Sequence, residues 1–261
     1  MLPLPPPPPR QHGAWVMLAI PALLGVALTR GHAGAGWWAM PGLLLAFLAQ
    51  DALVQAAHAA GRGSAAYVRR RWAWGLIHLA GAGACFLSLL AAAPAAARPA
   101  VLQVALPAAA AAGTWSVHSM LRRRRALWSE LMGMAGMALM APLMAAAAGL
   151  PLSGPPLGAA AVAYAYSLSS VTYVRAYERR RTAPVLAGTV VAAVHVLLFA
   201  SVALLVRSGA VPPWAALAFL PVALRLAIGL LRPPADLRVL GKRELWVAAS
   251  FTLLAVVSFW L

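Results

Sequence analysis

The sequence predicts an all-α membrane protein, a bundle of about nine transmembrane helices that forms a single domain over residues 12–261. Of its 261 residues, 63 % are hydrophobic and 10 % are charged, whereas about 25 % of the residues of a soluble domain are charged. The apolar residues fall into nine stretches, each close to the roughly 20 residues that cross a bilayer. Basic residues collect in every second connection, which is typical of a multi-pass membrane protein.

The spans follow a short leader. Residues 1–11 are rich in proline and are predicted to be a disordered cytosolic segment, because such sequences do not build a packed core. Prolines within the spans, at positions 21, 41, 107, 142 and 221, predict kinks, since proline lacks a backbone donor. The predicted spans are residues 14–30, 36–58, 73–94, 99–120, 127–149, 155–176, 184–206, 211–231 and 243–261.

The connections between the spans differ in charge. Four of them are short and nearly uncharged, and the alternate connections together with the N-terminal segment hold nearly all the arginines. Cytosolic loops of membrane proteins collect basic residues. We therefore predict a cytosolic N-terminus and, after nine spans, an extracytosolic C-terminus. The nearly uncharged connections are residues 31–36, 94–99, 150–156 and 208–213.

The formal net charge of +16 does not indicate a nucleic-acid partner. Each arginine cluster, such as residues 122–125, fills only a few positions between two spans, which leaves no room for a recognition module. We expect these clusters to set the topology and to contact anionic lipid head groups. The predicted partners are the bilayer and an isoprenoid or other anionic lipid, with no nucleic acid.

Polar residues inside the spans concentrate in the halves predicted to be cytosolic. Asp51, Gln55 and His58 are spaced i, i+4 and i+7, so they share one face of the second span, beside Gln50. Asp51 lies about two turns deep and needs a partner, because an ionised group within a membrane is costly.

The sixth span carries a second stripe of the same spacing. Tyr166, Ser170 and Tyr173 fall at i, i+4 and i+7, and Arg175 follows them. His118 ends the fourth span on the same predicted side. We interpret these residues as the lining of a polar chamber that opens to the cytosol.

Residues near the two ends of the chain complete the candidate ligand site. Structural explanations stay open for them, because Trp15 could anchor the first helix at the interface and Arg225 could extend its charge towards water. Glu244 could complement the dipole at the start of a helix. These candidates are Arg10, Gln11, His12, Trp15, Arg225, Arg243 and Glu244.

No motif assigns a catalytic residue or a metal. The histidines lack metal-ligand spacing, and neither a phosphate-binding glycine loop nor a serine nucleophile elbow is present. We predict no metal site and no cofactor from the residues alone.

Three short segments carry a family resemblance. The sequence RQHGAW at residues 10–15, with Met17, Leu18 and Pro21 after it, resembles the opening of the YwiC-like family of bacterial membrane proteins. SVTYVR at residues 170–175 and GKRE at residues 241–244 are similar to later blocks of that family. The resemblance implies a protein of the bacterial inner membrane and implies no particular reaction.

The architecture is also similar to that of the UbiA-type intramembrane prenyltransferases. In that family two aspartate-rich motifs, at the cytosolic ends of the second and sixth spans, bind a polyprenyl diphosphate through magnesium. Here the second span offers Gln50 and Asp51, and the sixth offers Tyr173, Arg175 and Glu178 but no aspartate. Since magnesium wants several carboxylate oxygens, it is expected as a cofactor only if that reaction is retained.

Three function classes follow. The protein binds an anionic amphiphile such as a polyprenyl phosphate or diphosphate, transports a small solute or protons, or serves as a non-catalytic assembly factor. If the protein binds an anionic amphiphile, we expect arginines to hold its phosphate without a metal. We also expect some of these arginines to converge on one site. Alternatively, Asp51, Glu130 and Glu244 pair with these arginines. The arginines near the cytosolic span ends are Arg10, Arg69, Arg175, Arg225 and Arg243.

Overall fold

The structure, a computed structural model, describes residues 12–61, 63–121, 127–180, 184–231 and 236–261. This described part is helical and contains no strand. The predicted leader over residues 1–11 lies outside it. The α-helices are α1 (His12–Leu28), α2 (Ala39–Ala59), α3 (Ala65–Ala92), α4 (Arg98–Leu121), α5 (Leu127–Ala138), α6 (Met140–Ala147), α7 (Pro155–Arg179), α8 (Pro184–Arg207), α9 (Leu220–Leu231) and α10 (Leu237–Trp260).

The helices account for the predicted spans. By length and composition, eight helical segments of the described part can cross a membrane, and α1 is a shorter apolar helix. One of the eight combines α5 with α6, and 3₁₀ turns at Gly34–Trp38, Ala95–Ala97 and Pro213–Phe219 extend the spans of α2, α4 and α9. The prediction of an all-α bundle of about nine spans is confirmed, and the chain is a multi-pass membrane protein.

The fifth span is interrupted where the sequence predicts a kink. Leu139 separates α5 from α6, and Pro142 follows shortly after it. The proline ring has no N–H and collides with the carbonyl of the residue four positions earlier, Ala138. The helix is thus interrupted close to Pro142, whereas α1 and α4 continue through Pro21 and Pro107.

Two helices begin earlier than the hydropathy predicts. α3 starts at Ala65 and α10 at Leu237, whereas the apolar windows begin at residues 73 and 243. The Ser64 hydroxyl accepts a hydrogen bond from the Tyr67 N–H at 3.2 Å, and the Asp236 carboxylate accepts one from the Val239 N–H at 2.8 Å. These caps start the helices among charged residues, where an apolar window detects nothing.

The bundle is built around α1. This helix packs against α6, α7 and α10, and its Ile20 and Leu24 are fully buried. One core cluster joins α1 to α7, α8, α9 and α10, and another joins it to α2, α3, α4 and α6. The four C-terminal helices therefore form one packed group.

Helices α2, α4, α7 and α9 end next to the connections in which the sequence carries most of its arginines, and α3, α5, α8 and α10 begin next to them. We call this end of the described helices the basic end. The positive-inside rule predicts that the basic end faces the cytosol, and this orientation stays a prediction.

Candidate functional site

A buried polar cluster links the four C-terminal helices in the half of the bundle nearer the basic end. Its central residue is Arg225 of α9, which is 5 % exposed. We call it the Arg225 cluster, and its members are Ser169, Ser170 and Tyr173 of α7, His195 of α8, Arg225 of α9 and Glu244 of α10.

An ion pair joins α9 to α10. Nη1 of Arg225 donates to Oε2 of Glu244 at 2.7 Å, and the Ser170 hydroxyl donates to the same oxygen at 2.8 Å. Both charged side chains are largely buried. Because an isolated charge is strongly disfavoured inside a membrane bundle, this pairing allows both residues to occupy α9 and α10 at this depth.

The other edge of the guanidinium is held by α7 and α8. Nη2 of Arg225 donates to the Ser169 hydroxyl and to Nε2 of His195, the latter at 3.1 Å. Nδ1 of His195 lies 2.7 Å from the Val191 carbonyl oxygen, which can only accept. Nδ1 therefore carries the proton, and His195 is a neutral imidazole whose Nε2 accepts from Arg225.

An aromatic ring covers the guanidinium. The Arg225 Cζ lies 4.6 Å from the centroid of the Tyr173 ring, a cation–π distance. The approach depends on Gly229, because a Cβ at this position would overlap the Tyr173 hydroxyl. Gly229 thus lets a tyrosine of α7 lie directly on α9.

The Tyr166 stripe faces the same helices. Tyr166 stacks on Phe251 of α10 with ring centroids 4.3 Å apart. Together with the contacts of Ser170 and Tyr173, this places the three residues of the stripe towards α9 and α10.

Two atoms of the central ion pair lack hydrogen bonds. Nε of Arg225 and Oε1 of Glu244 are buried, and neither has a partner in the described residues. Buried polar atoms are hydrogen-bonded in the great majority of cases. The Arg225 cluster therefore has one donor and one acceptor still to satisfy.

A second polar cluster lies between α2 and α3. Oδ2 of Asp51 accepts from Gln55 at 2.7 Å and lies 3.9 Å from Nη1 of Arg71. The Tyr67 hydroxyl bridges Arg71 and Gln55 at 3.2 Å each. His58 points elsewhere, since its Nε2 lies 2.8 Å from the Ser119 carbonyl of α4. The predicted stripe of the second span therefore divides between two neighbouring helices.

A third ion pair connects α5 to α7. Nη2 and Nε of Arg175 lie 2.9 and 3.2 Å from Oε2 of Glu130. Glu130 and Glu244 thus pair with two of the arginines named from the sequence, Arg175 and Arg225, whereas Asp51 faces Arg71, which the sequence analysis did not name. Asp236 caps α10, and Glu178 is exposed.

Two of the structural explanations offered from the sequence are wrong. Arg225 does not extend to water, because it is buried and paired. Glu244 does not stand at a helix start, because α10 begins at Leu237 and places Glu244 in its third turn.

The other candidates are dispersed. Trp15 packs edge-on against Phe47 of α2, with centroids 5.4 Å apart, and His118 packs on Trp128 at 4.4 Å. Gln50 is half-buried on α2. Arg10 and Gln11, and the side chain of His12, lie outside the described residues.

The convergence expected of the arginines stays a prediction. Arg225 pairs with Glu244 and Arg175 with Glu130, Arg243 is half-buried on α10, and Arg69 is exposed on α3.

Sequence reasoning missed the Ser169 contact and the burial of Arg71. Ser169 and Ser170 are adjacent on α7, so Ser169 faces α8 whereas Ser170 faces α10. The i, i+4, i+7 spacing identifies only one polar face of α7 and does not predict the second. His195, about the middle of α8, hydrogen-bonds neighbouring helices through Ser169 and Arg225. Its depth within an apolar span was the signal, because such a histidine requires polar partners.

One protein family matches the first half of the chain. A family model described as YwiC-like protein matches residues 9–145, from before α1 into α6. The matched residues include the Asp51 and Glu130 ion-pair acids, and the Arg225 cluster lies beyond them. No curated protein and no solved structure matches the chain, so the UbiA-like arrangement stays a prediction.

Proposed function

The chain belongs to the YwiC-like family, and we propose that this membrane protein binds the anionic head group of an amphiphile, such as a polyprenyl phosphate or diphosphate, at the Arg225 cluster. One observation carries the proposal. Nε of Arg225, on a residue only 5 % exposed, has no hydrogen-bond partner in the described residues, and Arg243 directly precedes Glu244 on α10. An unsatisfied cationic donor attracts an anion.

The arginines suit a phosphate because a guanidinium presents a rigid fork of N–H donors. Arg225 is fixed by Glu244, Ser169, His195 and the Tyr173 ring, so it loses little freedom when a ligand binds. Arg180, at the end of α7, stacks on the Tyr177 ring at 4.7 Å. The site is thus preorganised before any ligand arrives.

The surroundings favour an amphiphile over a free anion. Leu224, Ile228 and Leu231 of α9 are exposed and form an apolar surface beside Arg225. A hydrocarbon chain can lie on this surface among the bilayer lipids, while its head group reaches the arginines.

Arginines, and not a magnesium cluster, are the proposed ligand-holding groups. In the part of the chain that the structure describes, no three His, Cys, Asp or Glu side chains form a group that could hold a metal. Asp51, Glu130 and Glu244 are each engaged by an arginine. This donor set fits a phosphate better than a hard cation.

The test is the affinity of the purified chain for citronellyl phosphate, a short-chain amphiphile, measured by titration calorimetry in detergent. We expect the same affinity with magnesium or with EDTA, and weaker binding in high salt, because the Debye length falls from about 10 Å at 0.1 M to about 3 Å at 1 M salt. Strict dependence on magnesium would contradict the proposal.

Two arginine variants provide a matched comparison for this titration. Arg243→Gln should weaken binding by about tenfold, the effect of losing one hydrogen bond to a charged group. Arg69→Gln removes the same charge from an exposed site on α3 and should leave the affinity unchanged. Equal losses in the two variants would indicate attraction by net charge alone.

Proton-coupled transport is a second candidate, favoured by one observation. His195 and Glu244, two groups that can carry a proton, lie in one hydrogen-bonded cluster with Ser169 and Arg225. Chains of ionisable groups inside a membrane mark proton relays in pumps and transporters. Flux driven by a pH gradient in reconstituted vesicles, without binding of the phosphate, would favour transport. Neither flux nor binding would favour the assembly factor.

We also propose that the basic end faces the cytosol, which places the Arg225 cluster on the cytosolic side of the cell membrane. The distribution of arginines between the two sets of connections supports this orientation.

A further inference from the structure

His195 of α8 is fully buried, and both of its ring nitrogens are engaged. Nδ1 lies 2.7 Å from the Val191 carbonyl oxygen. Nε2 lies 3.1 Å from Nη2 of Arg225 and 3.1 Å from the Ser169 hydroxyl. A carbonyl can only accept a hydrogen bond and a guanidinium can only donate one. The two contacts therefore allow one form of the ring, the neutral imidazole with its proton on Nδ1.

Protonation of this ring would direct a second N–H at a donor. An imidazolium donates from both nitrogens, so Nε2 could no longer accept from Arg225. Two cationic groups would then stand 3.1 Å apart inside the bundle, where charges interact more strongly than in water because the effective dielectric constant is lower. The contact between α8 and α9 thus requires a neutral His195.

The surroundings of His195 do not compensate a second positive charge. Helix α8 packs against α7 and against the 3₁₀ turn that precedes α9, and this turn contains no ionisable residue. Helix α7 presents the Ser169 hydroxyl to the ring and the Tyr173 ring to the guanidinium. The charged group that reaches His195 is Arg225, and the carboxylate of the cluster, Glu244 of α10, binds Nη1 of that arginine.

We infer that His195 makes the Arg225 cluster a pH-sensitive switch, which holds α7, α8 and α9 together while the imidazole is neutral and releases them when it takes up a proton. An unperturbed imidazole gains its proton near pH 6.5. Because the closed cluster binds no proton at His195 and the open chain binds one, the closed state loses stability as the pH falls below about 6.5. The inference concerns how the chain holds Arg225 without a ligand, so it does not depend on the proposed phosphate site.

The pH dependence of unfolding tests the switch. The purified chain in mild detergent is unfolded reversibly by added sodium dodecyl sulfate, near pH 7.5 and near pH 5, and followed by circular dichroism. Uptake of one proton by the unfolded chain shifts the unfolding equilibrium about tenfold per pH unit. With an unfolded-state pKa of about 6.5, His195 should contribute an increase of about thirtyfold in the unfolding equilibrium constant between the two pH values.

A substitution separates this contribution from that of the acids. In His195→Gln, the amide lies about as far along the side chain as Nε2, and its oxygen can accept from Arg225 but does not titrate. The unfolding equilibrium constant of the variant should therefore increase about thirtyfold less between the two pH values than that of the wild-type chain. His32→Gln makes the same chemical change at an exposed histidine beyond the end of α1 and should retain the wild-type pH dependence.

Nitrogen-15 NMR of the wild-type chain, labelled at histidine, provides a readout that needs no variant. We expect an imidazole that is protonated at Nδ1 and not at Nε2, and that keeps this form near pH 5 in the folded chain. Absence of this form would overturn the inference, and so would equal pH dependence of unfolding in the wild-type chain and in His195→Gln. If the variant does not fold, the NMR result decides. Failure of the chain to bind a phosphate would contradict the proposed function and leave this inference standing.

Discussion

Replacing Arg225 by methionine is expected to lower the free energy of unfolding by about 3 kcal/mol or more, because it leaves the Glu244 carboxylate buried without its cation. The same change removes the donors that Ser169 and His195 accept from. Thermal unfolding in detergent, followed by tryptophan fluorescence and circular dichroism, measures the loss. The chain that still folds should no longer bind citronellyl phosphate.

Two further variants show whether the loss of stability comes from breaking the Arg225–Glu244 ion pair. Arg225→Met combined with Glu244→Leu removes both charges and should recover much of the stability, since a buried ion pair can often be replaced by apolar residues at little cost. Arg207→Met removes an exposed arginine from the far end of α8 and should be close to neutral. An Arg225→Met chain as stable as Arg207→Met would show that the ion pair does not hold the C-terminal helices together.

The Gly158→Ala substitution is expected to destabilise the chain by about 2 kcal/mol or more through overpacking. Gly158 lies near the start of α7, where a Cβ would overlap the carbonyl oxygen of Ala210 and approach its carbonyl carbon to 2.9 Å. These are backbone atoms of the turn after α8, so no side-chain rotation can relieve the clash. The melting temperature of the purified variant measures the effect.

A second glycine provides the control for that measurement. At Gly188 of α8, no atom lies within 4 Å of the position that a Cβ would occupy, so Gly188→Ala should stabilise the helix by about 0.5–1 kcal/mol. Because Gly158 lies at the opposite end of α7 from Tyr173, the folded fraction of Gly158→Ala should bind phosphate normally. Equal melting temperatures for Gly158→Ala and the wild-type chain would contradict the close packing of α7 on this turn.

The spans could be predicted from the sequence because a bilayer imposes a length and an apolar composition on every crossing helix. The break at Leu139 was only partly predictable, because Pro142 disturbs the turn before it, yet α1 and α4 continue through Pro21 and Pro107. The starts of α3 and α10 were not. They depend on caps at Ser64 and Asp236, which lie in charged sequence that hydropathy counts as loop.

The polar residues of the site could be named from the sequence, but their partners could not. Because a buried carboxylate needs a cation, the sequence predicts that Glu244 has a cationic partner. It does not predict which arginine is that partner. The choice of Arg225 follows from how α9 packs on α10, and Gly229 permits the contact with Tyr173. The i, i+4, i+7 rule grouped Asp51, Gln55 and His58 correctly on α2, yet two neighbouring helices share that face.

The most direct test of the central claim, that the Arg225 cluster holds a phosphate-bearing amphiphile through arginine, is native mass spectrometry of the chain extracted from membranes in mild detergent and washed with EDTA. We predict one phosphate-bearing amphiphile bound per chain, retained by Arg69→Gln and lost from Arg243→Gln. A wild-type chain that carries no such molecule, or an Arg243→Gln chain that carries it equally well, would contradict the account.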